Sequence, residues 1–139
     1  MSISRDAKLM CGITLLAVPT IMYGGLTLLG IVTGSSAGLG GNLALDEEQR
    51  ALWRAGHAHA GVWLILSLVI QLLVDAARLS RRLAWLARIT APLAAVAVSG
   101  GFFGLAFMPG FRWLLYFGGL CLLVAVVIAG IGLLRNLRA

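Results

Sequence analysis

Polar residues along this chain are gathered into short clusters, and the stretches between them are almost continuously apolar. Four apolar runs are long enough to cross about 30 Å of hydrocarbon, which takes roughly 18 residues of helix. The pattern predicts helices over about 9–32, 47–77, 83–108 and 111–134. Together they consume most of the 139 residues and leave no room for a separate soluble domain. The expected architecture is all-α: a single transmembrane domain, 1–139, built as an integral membrane four-transmembrane-helix bundle.

Local signals refine the boundaries. Pro19 removes a backbone donor from the first helix and predicts a kink. Thr14, Thr20 and Thr27 are available to satisfy the freed carbonyl. Gly30 and Gly34 have the small-xxx-small spacing that lets helices approach closely. The run from Gly34 to Asn42 reads as a loop. It does not read as a phosphate cradle, because no strand precedes it and no Gly-Lys-Ser/Thr follows.

Asp46, Glu47 and Glu48 mark the N-terminus of the second helix, where acids favour the helix dipole. That helix enters the bilayer around Trp53 to Gly61. It ends near Asp75, which reads as a partner of Arg78 or Arg82. Pro92 is expected to bend the third helix, and Met108-Pro109-Gly110 reads as a tight turn. The fourth helix stops before the basic tail Arg135 to Arg138.

Composition agrees with a membrane protein. Only 12% of residues are charged, against about 25% in soluble domains, and the mean hydropathy is +0.99. The net charge of +6 raises nucleic acid as a partner, but the arginines sit in inter-helix segments and form no soluble basic face. No nucleic-acid partner is expected; the partner is the lipid bilayer. Arg5, Lys8, Arg78, Arg81, Arg82, Arg88, Arg135 and Arg138 fall on one side, and Arg50, Arg54 and Arg112, offset by Asp46, Glu47 and Glu48, on the other. The positive-inside rule then makes both termini cytoplasmic, in a multi-pass protein of the inner (plasma) membrane. Cys11 and Cys121 have no paired spacing and read as small apolar residues.

Candidate chemistry is confined to Arg54-Ala55-Gly56-His57-Ala58-His59-Ala60-Gly61, which holds both histidines. The topology puts this pair toward the extracytoplasmic side. Ionisable side chains at membrane depth are functional-site candidates. Two residues on a helix span about 200° of rotation, so the rings point to nearly opposite sides. The His57 face continues through Gly61, Leu64, Leu68, Gln71 and Asp75, suited to a bundle interior. The His59 face continues through Trp63, Leu66, Ile70 and Leu73, suited to lipid or a neighbouring protomer.

Three roles are open. One makes the rings anchors satisfied by water, Arg54, Glu47 or Glu48; a second has them ligate a metal or haem; a third joins His57, Gln71 and Asp75 in a pH switch or proton relay. No Cys, Met or carboxylate stands at ligand spacing, which disfavours zinc. Haem needs one axial imidazole and an apolar slot, which Trp63, one turn from His59, could line.

The segment Arg54 to Gly61 is similar to the Arg-Ala-His-Ser-Gly segment of the small four-helix membrane isomerases of the styrene oxide isomerase type. Gly101-Phe102-Phe103-Gly104-Leu105-Ala106-Phe107-Met108-Pro109 is similar to their Gly-Phe-Tyr segment, and hydroxylaminobenzene mutase is a more distant comparison. The resemblance implies a homo-oligomer with haem b held between protomers, its ferric iron acting as Lewis acid on a small apolar epoxide-like substrate. The His-x-Gly match selects His59 as axial ligand, while the Arg-Ala match selects His57. The cofactor-binding set it implies is His59, His57, Trp63, Gly61 and Phe103. Two positions depart from that pattern: the family's asparagine falls on Ile65 and its tyrosine on Phe103, and neither can hydrogen-bond a substrate oxygen. A non-catalytic accessory or assembly subunit and a small oligomeric transporter remain as alternatives.

Overall fold

The computed structural model describes residues 3–34, 39 and 43–137. Most of the loop read over Gly34 to Asn42, and the tail residue Arg138, lie outside the described residues. Those described are helical or in turns, with no strand. Four helical segments are long and apolar enough to cross a membrane. The first is in two pieces, α1 (Arg5–Leu16) and α2 (Val18–Thr33); the others are α3 (Glu47–Ala76), α4 (Arg81–Leu105) and α5 (Arg112–Asn136), with a 3-10 turn, Pro109–Phe111, before α5.

The first span begins four residues earlier than its hydropathy suggests, because Ser4 caps it. The Ser4 Oγ accepts from the Ala7 N–H at 3.1 Å. The expected kink at Pro19 is a one-residue break at Ala17, whose dihedrals remain helical (φ −79°, ψ −15°). Proline has no N–H to continue the ladder and is best placed in a helix's first turn, so the helical ladder lapses at Ala17 and restarts at Val18. The Thr20 hydroxyl donates to the Ala17 carbonyl at 2.6 Å. Thr14 and Thr27 bond instead to the carbonyls of Met10 and Tyr23, four residues back in their own helices. Gly34, in the left-handed conformation with φ 62°, ends α2.

A reciprocal capping box starts α3: the Gln49 N–H donates to Asp46 Oδ1 at 2.8 Å, and the Asp46 N–H to Gln49 Oε1 at 3.0 Å. The Gln49 amide also donates to the Ala106 carbonyl at 2.9 Å, tying α3 to the end of α4. Helix α4 runs unbroken through Pro92 and closes at Leu105, short of the expected 108. There the N–H groups of Phe107 and Met108 both turn back to the Gly104 carbonyl.

The core is assembled by close approach of small residues, as expected where lipid is no less apolar than the protein interior. Ile70 and Val74 of α3, Ala87 and Ala91 of α4, and Ala125 and Ala129 of α5 are all buried there. A Cβ on Gly118 would lie 2.8 Å from the backbone nitrogen of Val98, so α4 and α5 touch almost backbone to backbone. The first span is peripheral: 11% of its most apolar stretch is buried, against 44% in α4.

Three sequence assignments change. Ile70, read on a lipid-facing or protomer-facing stripe, is 2% exposed and belongs to the core. Asp75 pairs with neither Arg78 nor Arg82; its carboxylate binds Arg88 of α4. Arg88, counted among the surface topology charges, is 3% exposed. Its guanidinium donates to the Gln71 backbone carbonyl at 2.9 Å and to Gln71 Oε1 at 3.2 Å. The Gln71 amide returns a bond to the Arg88 carbonyl at 3.0 Å. Ser4 completes the cluster, donating to Asp75 through its N–H at 2.9 Å and its hydroxyl at 2.7 Å. A buried cation is retained because both terminal nitrogens of its guanidinium face acceptors, one of them a carboxylate.

Candidate functional site

The histidines lie at the end of the bundle away from that cluster, on α3, with Gly56 beside them. The lack of a side chain at Gly56 admits the Phe102-Phe103 step of α4. A Cβ there would lie 3.0 Å from the Phe103 ring and 3.2 Å from Phe102 Cβ. The two phenylalanines divide between the two histidines.

His59 is held on three sides. Its ring lies 4.8 Å from Phe102 and stacks on Trp63 at 5.9 Å with an interplanar angle of 16°. Its Nδ1 is 2.7 Å from the Ala55 carbonyl oxygen. A carbonyl can only accept, so Nδ1 carries a proton, and in the neutral ring the lone pair is on Nε2. The ring borders an apolar hollow of about 170 Å³ with Ala58, Val62 and Trp63. Val62 is 64% exposed, so this hollow lies on the outer surface of the bundle.

His57 makes no hydrogen bond to any described residue. Its ring rests on the Gly24-Gly25 step of α2. A Cβ on Gly25 would stand 3.1 Å from Cε1 and 3.2 Å from Nε2, and one on Gly24 would stand 3.7 Å from Nδ1. The glycine pair makes room for the imidazole, which a side chain at Gly25 would crowd. Two hollows flank the ring. One, of about 240 Å³, is walled by Ala17, Thr20 and Gly24 of the broken span, Ala60 of α3, and Ser99 and Phe103 of α4. The other, of about 350 Å³, lies between α2 and α3 and includes Met22, Gly61 and Ile65.

The five expected site residues thus fall into two groups. His59 and Trp63 stand together on the outer face, while His57, Gly61 and Phe103 line the hollows beneath α2. Phe103 packs edge-on against Trp53 at 5.2 Å and does not reach His59. Ile65 and Phe103, the positions matching the family's asparagine and tyrosine, both lie on the His57 side. Sequence reasoning missed Phe102, Ser99 and the Gly24-Gly25 seat. The adjacent glycines were visible in the sequence, but their partner on another helix was not.

The relay reading finds no continuous path. Gln71 is engaged by Arg88. Fourteen residues, about 21 Å of helix, separate it from His57, with no chain of hydrogen bonds between them among the described residues. Nor do three or more His, Cys, Asp or Glu side chains cluster among those residues. An iron bound here would rest on one imidazole per chain. Comparison with protein-family models, with curated proteins and with solved structures finds no match to this chain.

Proposed function

We propose that this is a multi-pass plasma-membrane protein that binds haem b through His59, at a face completed by a second copy of the chain. Both termini lie on the cytoplasmic side in this reading, and the histidines toward the extracytoplasmic side. Arginine placement supports the orientation: Arg5, Lys8, Arg78, Arg81, Arg82 and Arg135 surround the end carrying the termini. The opposite end has Arg50, Arg54 and Arg112, offset by Asp46, Glu47 and Glu48.

The observation that carries the haem reading is the Nδ1 bond to the Ala55 carbonyl at 2.7 Å. Such a bond fixes the ring and its tautomer, as second partners of metal-bound histidines do. Trp63 and Phe102 hold the ring plane, and the hollow beside it is apolar. One chain supplies only one wall, since Val62 stands open, and a homo-oligomer would close the other. His59 would hold the haem, which would supply Lewis-acid chemistry toward a small apolar epoxide-like substrate.

The second reading, a non-catalytic haem-carrying accessory subunit, is favoured by the hollow's composition. Ala58, Val62 and Trp63 offer no hydroxyl, amide or carboxylate to position a substrate oxygen.

An absorption spectrum of the purified protein, oxidised and dithionite-reduced, before and after adding haem, tests the proposal. A Soret band that shifts on reduction, persists in His57→Ala and is lost in folded His59→Ala is the expected result. Trp63→Ala should weaken retention of the cofactor. Failure of folded wild-type protein to take up haem, or loss of the band only in His57→Ala, would overturn the assignment. Turnover of a small epoxide by the loaded protein then separates enzyme from accessory subunit.

A further inference from the structure

We infer that the arginine-rich end of the bundle binds an anionic lipid whose headgroup carries two phosphates. The inference rests on the membrane reading of the four helical segments, not on haem, and it holds for either orientation in the bilayer.

Tertiary contacts gather cations that are far apart in sequence around one turn, residues 77–80 between α3 and α4. Both ends of the described chain are tied to consecutive residues beside it. Ser4 donates to the Asp75 carboxylate through its N–H at 2.9 Å, which brings Arg5 to the end of α3. The Asn136 amide donates to the Ala76 carbonyl at 3.1 Å, which brings in Arg135. Gly132 seats against Ala77 and Leu79, where a Cβ would lie 2.9 Å from that of Ala77. The register of α4 on α5 agrees. Gly104 meets Phe111, Gly101 meets Leu115 and Val98 meets Gly118, so the two helices advance in equal and opposite steps. Continued to their ends, those steps set Arg81 opposite Arg135. Arg78, in the turn itself, and Arg82 complete the group.

Arg5, Arg78, Arg81, Arg82 and Arg135 are all exposed, and none has an ion-pair partner among the described residues, where Arg88 with Asp75 is the one pair. Asp75 is thus already taken, and Asp6 is the other carboxylate at this end. The opposite end carries no such excess, because Arg50, Arg54 and Arg112 stand with Asp46, Glu47 and Glu48. Charge calls for an anion, and the apolar surface beside it sets the kind. Leu83 and Leu86 of α4 and Leu134 and Leu137 at the end of α5 are exposed next to these arginines. A soluble anion would leave those leucines bare, whereas a lipid covers them with its chains while its headgroup meets the guanidinium groups. Guanidinium pairs with phosphate through two parallel bonds. Several arginines around one turn therefore favour a headgroup with two phosphates over one with a single charge.

The test titrates the full chain, solubilised in a neutral detergent, with cardiolipin or with phosphatidylcholine, and counts bound lipid by native mass spectrometry. Cardiolipin should bind the more tightly. Each arginine at a membrane surface contributes about fivefold to anionic-lipid affinity, so Arg81→Gln/Arg135→Gln should weaken cardiolipin about twentyfold and leave phosphatidylcholine unchanged. Arg54→Gln/Arg112→Gln removes the same charge at the other end and should bind cardiolipin as the wild type does. If Arg81→Gln/Arg135→Gln does not fold, as judged by far-UV circular dichroism, the single exposed change Arg82→Gln decides, with a loss of about fivefold. Equal affinity of the wild type for the two lipids, or the same loss in both double variants, would overturn the site. Displacement of cardiolipin by equimolar inorganic phosphate would assign the arginines to a soluble anion and overturn the lipid as occupant. A chain that stays folded and dispersed without detergent would remove the membrane reading itself, a result distinct from indifference to lipid in the solubilised protein.

Discussion

Removing Asp75 should be among the most damaging single changes available in this chain. Asp75→Ala leaves the guanidinium of Arg88, whose side chain is 4% exposed, inside the bundle without a counter-charge. Breaking a buried ion pair from one side costs about 3–5 kcal/mol. Arg88 would keep the Gln71 backbone carbonyl at 2.9 Å and Gln71 Oε1 at 3.2 Å, two neutral acceptors that partly solvate it. The loss from the pair therefore falls near the lower end, about 3 kcal/mol. Asp75 also holds the N–H and hydroxyl of Ser4, and releasing that tether adds about 1 kcal/mol. The total is a shift of several hundredfold in the unfolding constant.

Unfolding in mixed micelles of rising SDS fraction, followed by far-UV circular dichroism, measures it. The double variant Asp75→Ala/Arg88→Met removes both charges and should recover to within about 1 kcal/mol of wild type, because an apolar pair can replace a buried ion pair. A loss below about 1 kcal/mol in Asp75→Ala would refute the reasoning. So would a double variant as unstable as the single, which would mean that Arg88 acts through its packing.

Two further changes probe the backbone. Gly118→Ala places a Cβ 2.8 Å from the Val98 backbone nitrogen and 2.7 Å from its Cγ2; backbone cannot rotate aside, so a loss of about 1–3 kcal/mol is expected in the same titration, and no loss would show that α4 and α5 separate freely. Arg78 has φ 46° in the turn between α3 and α4, a conformation that costs an L-residue about 1–2 kcal/mol. Arg78→Gly should accordingly raise stability by about 1 kcal/mol; destabilisation would mean that the Arg78 side chain holds the turn.

The termini of the spans were legible residue by residue wherever a local signal set them. Asp46 and Gln49 start α3 through a capping box confined to four residues, and Pro109 closes the turn before α5. The first span was the exception: Ser4 caps it locally through the Ala7 N–H, but a lone serine before an apolar run was outweighed by hydropathy, and Asp75, 71 positions away, holds that serine in place.

The two histidines show the same division. Their separation of about 200° follows from helix geometry alone, and their opposite placement was foreseen. Which rings and glycines meet them was not, because α2 and α4 bring Gly24, Gly25, Phe102 and Phe103 from outside α3. Hydrocarbon permits an isolated spanning segment to satisfy its backbone only as a helix, so a count of apolar residues is enough to predict four helices long and apolar enough to span a membrane. It carries little information about which face of each helix meets which neighbour, because lipid and core are equally apolar, and α5 is apolar on nearly every side. Partner choice is settled instead by close fit at small residues and by the few buried polar groups that must find each other. That is why Arg88 resembles a topology charge along the chain and becomes the centre of the bundle's polar cluster only when α3 and α4 are packed together.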